Sequence, residues 1–302
     1  MIRPPRIDAR LFARLPAALH HEGEPNDWVR MTRPGQRLHS FIEGPCFDAG
    51  GRLWLVDVPY GRIFRIEPGG EWTLARQYDG EPHSLRPLDE DSFAIVDYRR
   101  GLLRLDARSG AIEPLAVSFE GEPFLGLSDL AVARSGDIWF TDSGRTSLSD
   151  PRGRVFRLDR TGALRLVLAN VPYPNGIALS PDEAFVYVAA TRANAVWRLS
   201  AVLPAEGPPM AGTYVTLGGG LGPDGLAVDR AGRLAVAHAQ AGRAFVFDRL
   251  GDPLAEIRLP EGMWTTSVCF GPGSGQTLYI TEAQTGSVYA ADLASLENAS
   301  HA

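Results

Sequence analysis

Val171 to Ser200 reads VPYPNGIALSPDEAFVYVAATRANAVWRLS, a module of two strands separated by turns. Pro174-Asn175-Gly176 is a turn signal, because proline fixes φ and glycine accepts φ > 0. Ile177-Ala178-Leu179 is a short apolar run, and Ser180-Pro181-Asp182 turns again. Phe185 to Ala190 is β-branched and aromatic, as a strand should be. Arg192-Ala193-Asn194 is another turn, and Ala195 to Leu199 alternates like a strand. Such a unit cannot bury a face alone, so it requires copies of itself.

The copies are present. Tyr187 to Ala190 matches Trp54 to Asp57, Ala94 to Asp97, Trp139 to Asp142, Ala235 to His238 and Tyr279 to Glu282, in steps of about 40 to 48 residues. After each comes a Gly or Asn turn and a further strand, starting at Gly61, Gly101, Gly153, Asn194, Gly242 and Gly286. Six repeats of this length predict an all-β fold, a six-bladed β-propeller of four-stranded blades around a central channel. The propeller is expected over residues 39–293, with a leader at 1–38 and a tail at 294–302. A ring must close, so either part of the leader supplies the strand that completes the last blade or it is a tail; partial ordering is expected.

Bulk properties narrow the function. A net charge of −6 with mixed signs gives no basic patch for nucleic acid. No run of 18 apolar residues suggests a membrane partner, and the first residues lack the apolar core of a secretory signal, so a cytoplasmic location is expected. A monomer or small homo-oligomer is expected. Cys46 and Cys269 occupy equivalent places in the first and last blades, which a ring makes neighbours; two buried thiols are the reading, with a bridge the alternative.

The repeats align one further position, two residues before the apolar triplet of each blade's first strand. It is occupied by Glu43, His83, Ser128, Asn175, Asp224 and Thr266, all polar. Innermost strands line a propeller's channel, so one register gathers these side chains around one end of it. Converging carboxylates repel unless a cation or shared proton intervenes. Oxygen donors from Glu43, Asn175, Asp224 and Ser128 suit calcium, or magnesium; zinc prefers several His or Cys ligands, and the ring offers only His83. A cation with open positions polarises a carbonyl and lowers the pKa of bound water. With Asp224 as base, and His83 as a second proton-transfer group, such a mouth suits hydrolysis of a small lactone or ester.

Glu43-Gly44-Pro45, Pro174-Asn175-Gly176 and Pro223-Asp224-Gly225 closely resemble motifs of the SMP-30/gluconolactonase/LRE-like family, and the resemblance spans about residues 40 to 292. It implies a six-bladed propeller with a divalent metal in the channel, lactone hydrolysis, and Glu43, Asn175 and Asp224 as ligands. Departures from the pattern matter. Many members carry Arg-x-Asn-Asp where this chain has Gly126-Leu127-Ser128-Asp129. The arginine that would meet sugar-lactone hydroxyls is missing, and Ser128 is a shorter donor than Asn.

Plainer readings stand beside these. Asn175 and Asp224 occupy tripeptides that are common turns anyway, and a solvated turn residue is the plainer alternative for Glu43 before Gly-Pro. Asp57, Asp97 and Asp142 recur too regularly for chemistry and are read as partners of backbone donors. His238 ends a second strand and is counted with the pocket candidates, although a satisfied structural histidine is the plainer reading. Thr266, Tyr60, Arg145, Arg192 and Trp264 are candidate wall residues. A triad of Ser128, His83 and Asp129 lacks a nucleophile-elbow signature. The alternatives to a lactonase are another chemistry on this scaffold, such as an isomerase or organophosphate hydrolase, and a non-catalytic metal-bound propeller.

Overall fold

A computed structural model describes residues 4–273 and 275–299. Six antiparallel sheets form the ring. Their inner strands are Ile42–Phe47, Pro82–Pro87, Leu127–Val132, Pro174–Leu179, Gly222–Val228 and Thr265–Phe270. Second strands, such as Leu53–Asp57 and Ser92–Asp97, are buried along their whole length. That is why they read as continuous apolar runs instead of alternating ones.

The core lies between blades. Trp54, Val56 and Ile63 of the first blade pack on Leu85, Phe93 and Ile95 of the second, for example. Each such side chain contributes about 1.5–3 kcal/mol relative to exposure. Cys46 and Cys269 are free and buried, and burial pushes the Cys46 thiol up to about 12, so both are inert as nucleophiles.

The leader closes the ring. Arg10–Arg14 pairs antiparallel with Ser287–Asp292 as the outer strand of the sixth blade. Arg6–Asp8 adds in parallel to Pro253–Arg258, a fifth strand on the fifth blade. The chain then forms a short helix, Asp27–Thr32, capped by the Asn26 side chain, which accepts from the Val29 N–H at 3.0 Å. Trp28 and Val29 of this helix pack on Phe41, Val58, Tyr60 and Ala283, between the first and last blades. Of the tail, residues 294–299 form a 3-10 turn, and the last three lie outside the described residues. No helix among the described residues is long and apolar enough to cross a membrane.

Two regularities position the channel mouth. Every inner strand carries a register irregularity at or beside its aligned polar residue, between Glu43 and Cys46 and between Pro174 and Ile177, for instance. A bulge bends its strand and re-aims a side chain, so all six blades present this position in the same way. The buried carboxylate that ends a second strand fixes the approach to it. Asp57, Asp97, Asp142 and Glu282 accept the backbone N–H of Phe41, Glu81, Gly126 and Trp264, at 2.6, 2.9, 2.8 and 3.0 Å. Each of those donors lies two residues before the aligned position of its blade.

Candidate metal centre at the channel mouth

Glu43, His83, Asn175 and Asp224 come together. His83 Nδ1 lies 2.8 Å from Glu43 Oε1, and Asn175 Nδ2 donates to Asp224 Oδ1 at 2.6 Å. Asn175 thereby keeps its carbonyl oxygen available, with no hydrogen bond using it among the described residues. Thr141 donates to the Asn175 backbone carbonyl at 2.7 Å and holds that strand.

The electrostatics are those of a site built around positive charge. Burial, then Glu43, then Asp129 push the Asp224 carboxyl well above the usual carboxylate range. Burial lowers the His83 pKa, and the adjoining Glu43 more than reverses this, so the net shift is upward. Glu43 Oε1 and His83 Nε2 are buried without a well-aligned hydrogen bond. Orphaned buried acceptors and a strained pair of acids fit a hard divalent cation. The donor set is mixed: among the described residues no three His, Cys, Asp or Glu side chains form a cluster, and the third oxygen here is the Asn175 carboxamide.

The glycine of each motif has a packing reason. A Cβ on Gly44 would stand 2.5 Å from the Ser84 Cα, one on Gly176 2.2 Å from the Asp224 backbone oxygen, and one on Gly225 2.6 Å from the Ser267 Cα. Each glycine lets the next inner strand approach, which brings the aligned positions of neighbouring blades together. Gly176→Ala is therefore expected to cost about 1–3 kcal/mol in urea unfolding and to displace Asp224, lowering turnover further than the stability loss explains. Full activity in that variant would contradict the close-approach argument.

Other expected residues are placed differently. Ser128 holds its aligned position, but its oxygen already accepts from Ser143 Oγ at 2.6 Å. Thr266 is committed elsewhere: its hydroxyl donates to the Ile42 carbonyl at 2.8 Å and contacts Thr281 Oγ1, tying the last blade to the first. Thr191 does the same between the fourth and fifth blades, on the Pro223 carbonyl at 2.7 Å. His238 is committed to partners within its own blade. It occupies the repeat position of Asp57, is fully buried, sits 2.8 Å from the Gly219 carbonyl through Nε2, and accepts from Arg243 through Nδ1. Tyr60 is a pillar under the leader: its hydroxyl donates to Leu38 and its ring stacks on His21 at 3.8 Å. Arg145 is exposed and hydrogen-bonded to Tyr98.

Four residues of this region escaped the repeat pattern. Tyr98 lies 5.6 Å from His83, ring to ring, and fills the space beside Gly126, where a Cβ would meet its ring at 2.4 Å. With φ at +142° as well, a side chain at position 126 would be strained and would have to displace Tyr98. Tyr173 sits at φ 60°, costly for a bulky residue, and burial followed by Asp224 pushes its hydroxyl up to about 12. Asp129 accepts from the Leu130 and Ile177 N–H groups and from Arg86 at 3.3 Å. Arg33 arrives from the leader. Tyr173, beside the Pro-Asn-Gly turn, and Asp129, in the Gly126-Leu127-Ser128-Asp129 stretch, carried a local signal; Tyr98 and Arg33 carried none.

A family model described as SMP-30/Gluconolactonase/LRE-like region matches residues 41–284. The chain is 31% identical to a 6-deoxy-6-sulfogluconolactonase of Pseudomonas putida, over 77% of this chain and 79% of that protein. It is 27% identical to lactonase drp35 of Staphylococcus epidermidis, over 84% and 81% respectively. The solved structure of a Xanthomonas campestris gluconolactonase superimposes with a TM-score of 0.73 at 26% identity, covering 84% of this chain and 86% of that one.

Proposed function

Because the chain belongs to the SMP-30/gluconolactonase/LRE-like family, we propose that it is a lactonase-type hydrolase whose reaction centre is the ring of Glu43, Asn175 and Asp224. Relatives named lactonase, gluconolactonase and 6-deoxy-6-sulfogluconolactonase all open cyclic esters, which makes a small lactone the substrate class. The observation that carries the reading is the Asn175 carboxamide hydrogen-bonded to Asp224, whose carboxyl is driven upward by burial and by Glu43.

Bound between Glu43, Asn175 and Asp224, a hard divalent cation, calcium first and magnesium or zinc as alternatives, supplies carbonyl polarisation, a more acidic water and the charge that keeps both carboxylates ionised. The protein's own groups then divide the proton work. Asp224 accepts the proton of the attacking water, and its hydrogen bond to Asn175 holds the carboxylate in one orientation. His83 holds a proton beside Glu43 and passes it to the ring oxygen as the acyl–oxygen bond breaks. The product is a hydroxy acid. Tyr98 and Tyr173 wall the mouth, and the raised pKa of the Tyr173 phenol keeps it a neutral donor.

The test is pH-stat hydrolysis of a lactone and ester panel before and after chelation, with add-back of calcium, magnesium or zinc. Acid release from lactones that stops on chelation and returns with calcium is the expected result. A panel with no hydrolysis, or with products other than ring-opened acids, would overturn the assignment.

A further inference from the structure

We propose that Arg33 is the specificity-determining residue of this mouth, and that it selects lactones bearing a second acidic group, a carboxylate, sulfonate or phosphate, away from the ring ester. The proposal rests on the lactonase reading above and names its substrate class.

Arg33 caps the C-terminus of helix Asp27–Thr32, its N–H bonded to the Val29 carbonyl at 2.8 Å. The guanidinium lies in an aromatic slot, 4.5 Å from the Trp264 ring centre and 5.2 Å from that of Phe41. The slot is held from below. Asn26 both caps the helix and donates to the Pro59 carbonyl, and Trp28 packs on Phe41. A charged group fixed this way loses little freedom when it binds a ligand.

Its partners are the unusual part. Buried arginines elsewhere in the protein meet a carboxylate directly: Arg62 with Asp57, Arg154 with Asp142, Arg233 with Asp229. Arg33 does not. Among the described residues it makes no ion pair within 4.0 Å, its only hydrogen bond from the guanidinium is Nη1 to the Thr32 carbonyl at 3.0 Å, and Nε is buried without a partner. The negative charges that act on it are those of the centre itself, Asp224 and Glu43. A half-buried guanidinium with unused donors thus stands beside the reaction centre but out of contact with it.

Charge decides what fills that gap. Glu43 and Asp224 carry two negative charges, which a divalent cation cancels, and Arg33 leaves the mouth net positive. A planar fork of N–H donors matches a carboxylate, sulfonate or phosphate bidentately. Arg33 stands on the leader's aromatic wall and not on an inner strand, so it meets a substituent of the substrate while the ester lies at the ring of ligands. Gly126, closed off by Tyr98, brings no cation of its own, and the nearby Arg145 is exposed and hydrogen-bonded to Tyr98.

The experiment compares γ-butyrolactone with its γ-carboxylate, using calcium-loaded wild type, Arg33→Ala and Arg33→Lys. In wild type kcat/KM should favour the acidic lactone. In Arg33→Ala that preference should fall by roughly 10- to 100-fold, through KM, with partial recovery in Arg33→Lys. A binding arm titrates α-hydroxyglutarate, the ring-opened acid, while following tryptophan fluorescence, since Trp264 lies against Arg33. Saturable change in wild type that vanishes in Arg33→Ala upholds the proposal. An unchanged preference between the two lactones, or unchanged hydroxyglutarate binding, overturns it. If wild type hydrolyses neither lactone, the lactonase reading fails, and the fluorescence arm alone then decides the role of Arg33.

Discussion

Asp224→Asn is expected to lower kcat for lactone hydrolysis by about 10²- to 10⁴-fold while making the metal-free protein more stable. Removing a general base costs roughly that factor. The stability gain follows from the surroundings of the carboxyl. Burial, Glu43 and Asp129 all disfavour its charge, and Arg33 offsets them only in part. Its folded pKa therefore stands above the unfolded one, near 3.9 for a free aspartate. The folded state binds the extra proton between those two values, so stability falls as pH rises through that window. Below it both states are protonated and no penalty applies. Asparagine does not titrate, and its carbonyl oxygen still accepts the Asn175 N–H. In chelator, the melting temperature of the variant should exceed that of wild type at neutral pH and converge with it in acid, a gain of about 0.5–2 kcal/mol. Turnover within tenfold of wild type, with the fold intact, would remove Asp224 from the mechanism.

Asp57→Ala should do the reverse. This carboxylate is fully buried, accepts from the Phe41 N–H at 2.6 Å and from Arg62 Nε at 2.6 Å, and touches nothing at the centre. Arg62 keeps its bonds to the Leu19 and His39 carbonyls, at 2.5 and 2.9 Å, but loses its counter-charge. Breaking a buried pair by removing one partner costs about 3–5 kcal/mol. The loss should appear in urea unfolding as a lower midpoint with an unchanged m-value. Asp57→Asn should lose less, because the amide oxygen still serves Phe41. A cost below about 1 kcal/mol for the alanine variant would contradict the role given to the second-strand carboxylates.

These two aspartates show what could be read in the chain. Both belong to a repeated position, so both were visible, and the regularity itself separated them. Asp57 has equivalents in Asp97 and Asp142 doing the same backbone work, whereas the aligned position of Asp224 varies in identity and stays polar. Blade number, strand order and the aligned ring follow from one spacing because every blade bulges at the same place. The failures come from side chains that face a neighbour instead of the axis. Thr266 is aligned correctly, yet the Ile42 carbonyl across the closure takes its hydroxyl. His238 was legible as an equivalent of Asp57, and its burial follows from that position. Arg33 belongs to the leader, where no repeat exists to compare, and Tyr98 to the turn between the second and third strands of the second blade, whose residues differ from blade to blade. Their positions depend on packing against Trp264 and Gly126, contacts distant in sequence.

The proposed mechanism places the reaction at one cation site in the channel mouth. Calorimetric titration of calcium into metal-free protein, with lactone turnover measured at each point, tests it most directly. One site per chain is expected, with turnover rising in step with occupancy, and Glu43→Gln should weaken both together. Full turnover in the metal-free protein, or calcium binding that Glu43→Gln leaves untouched, would contradict it.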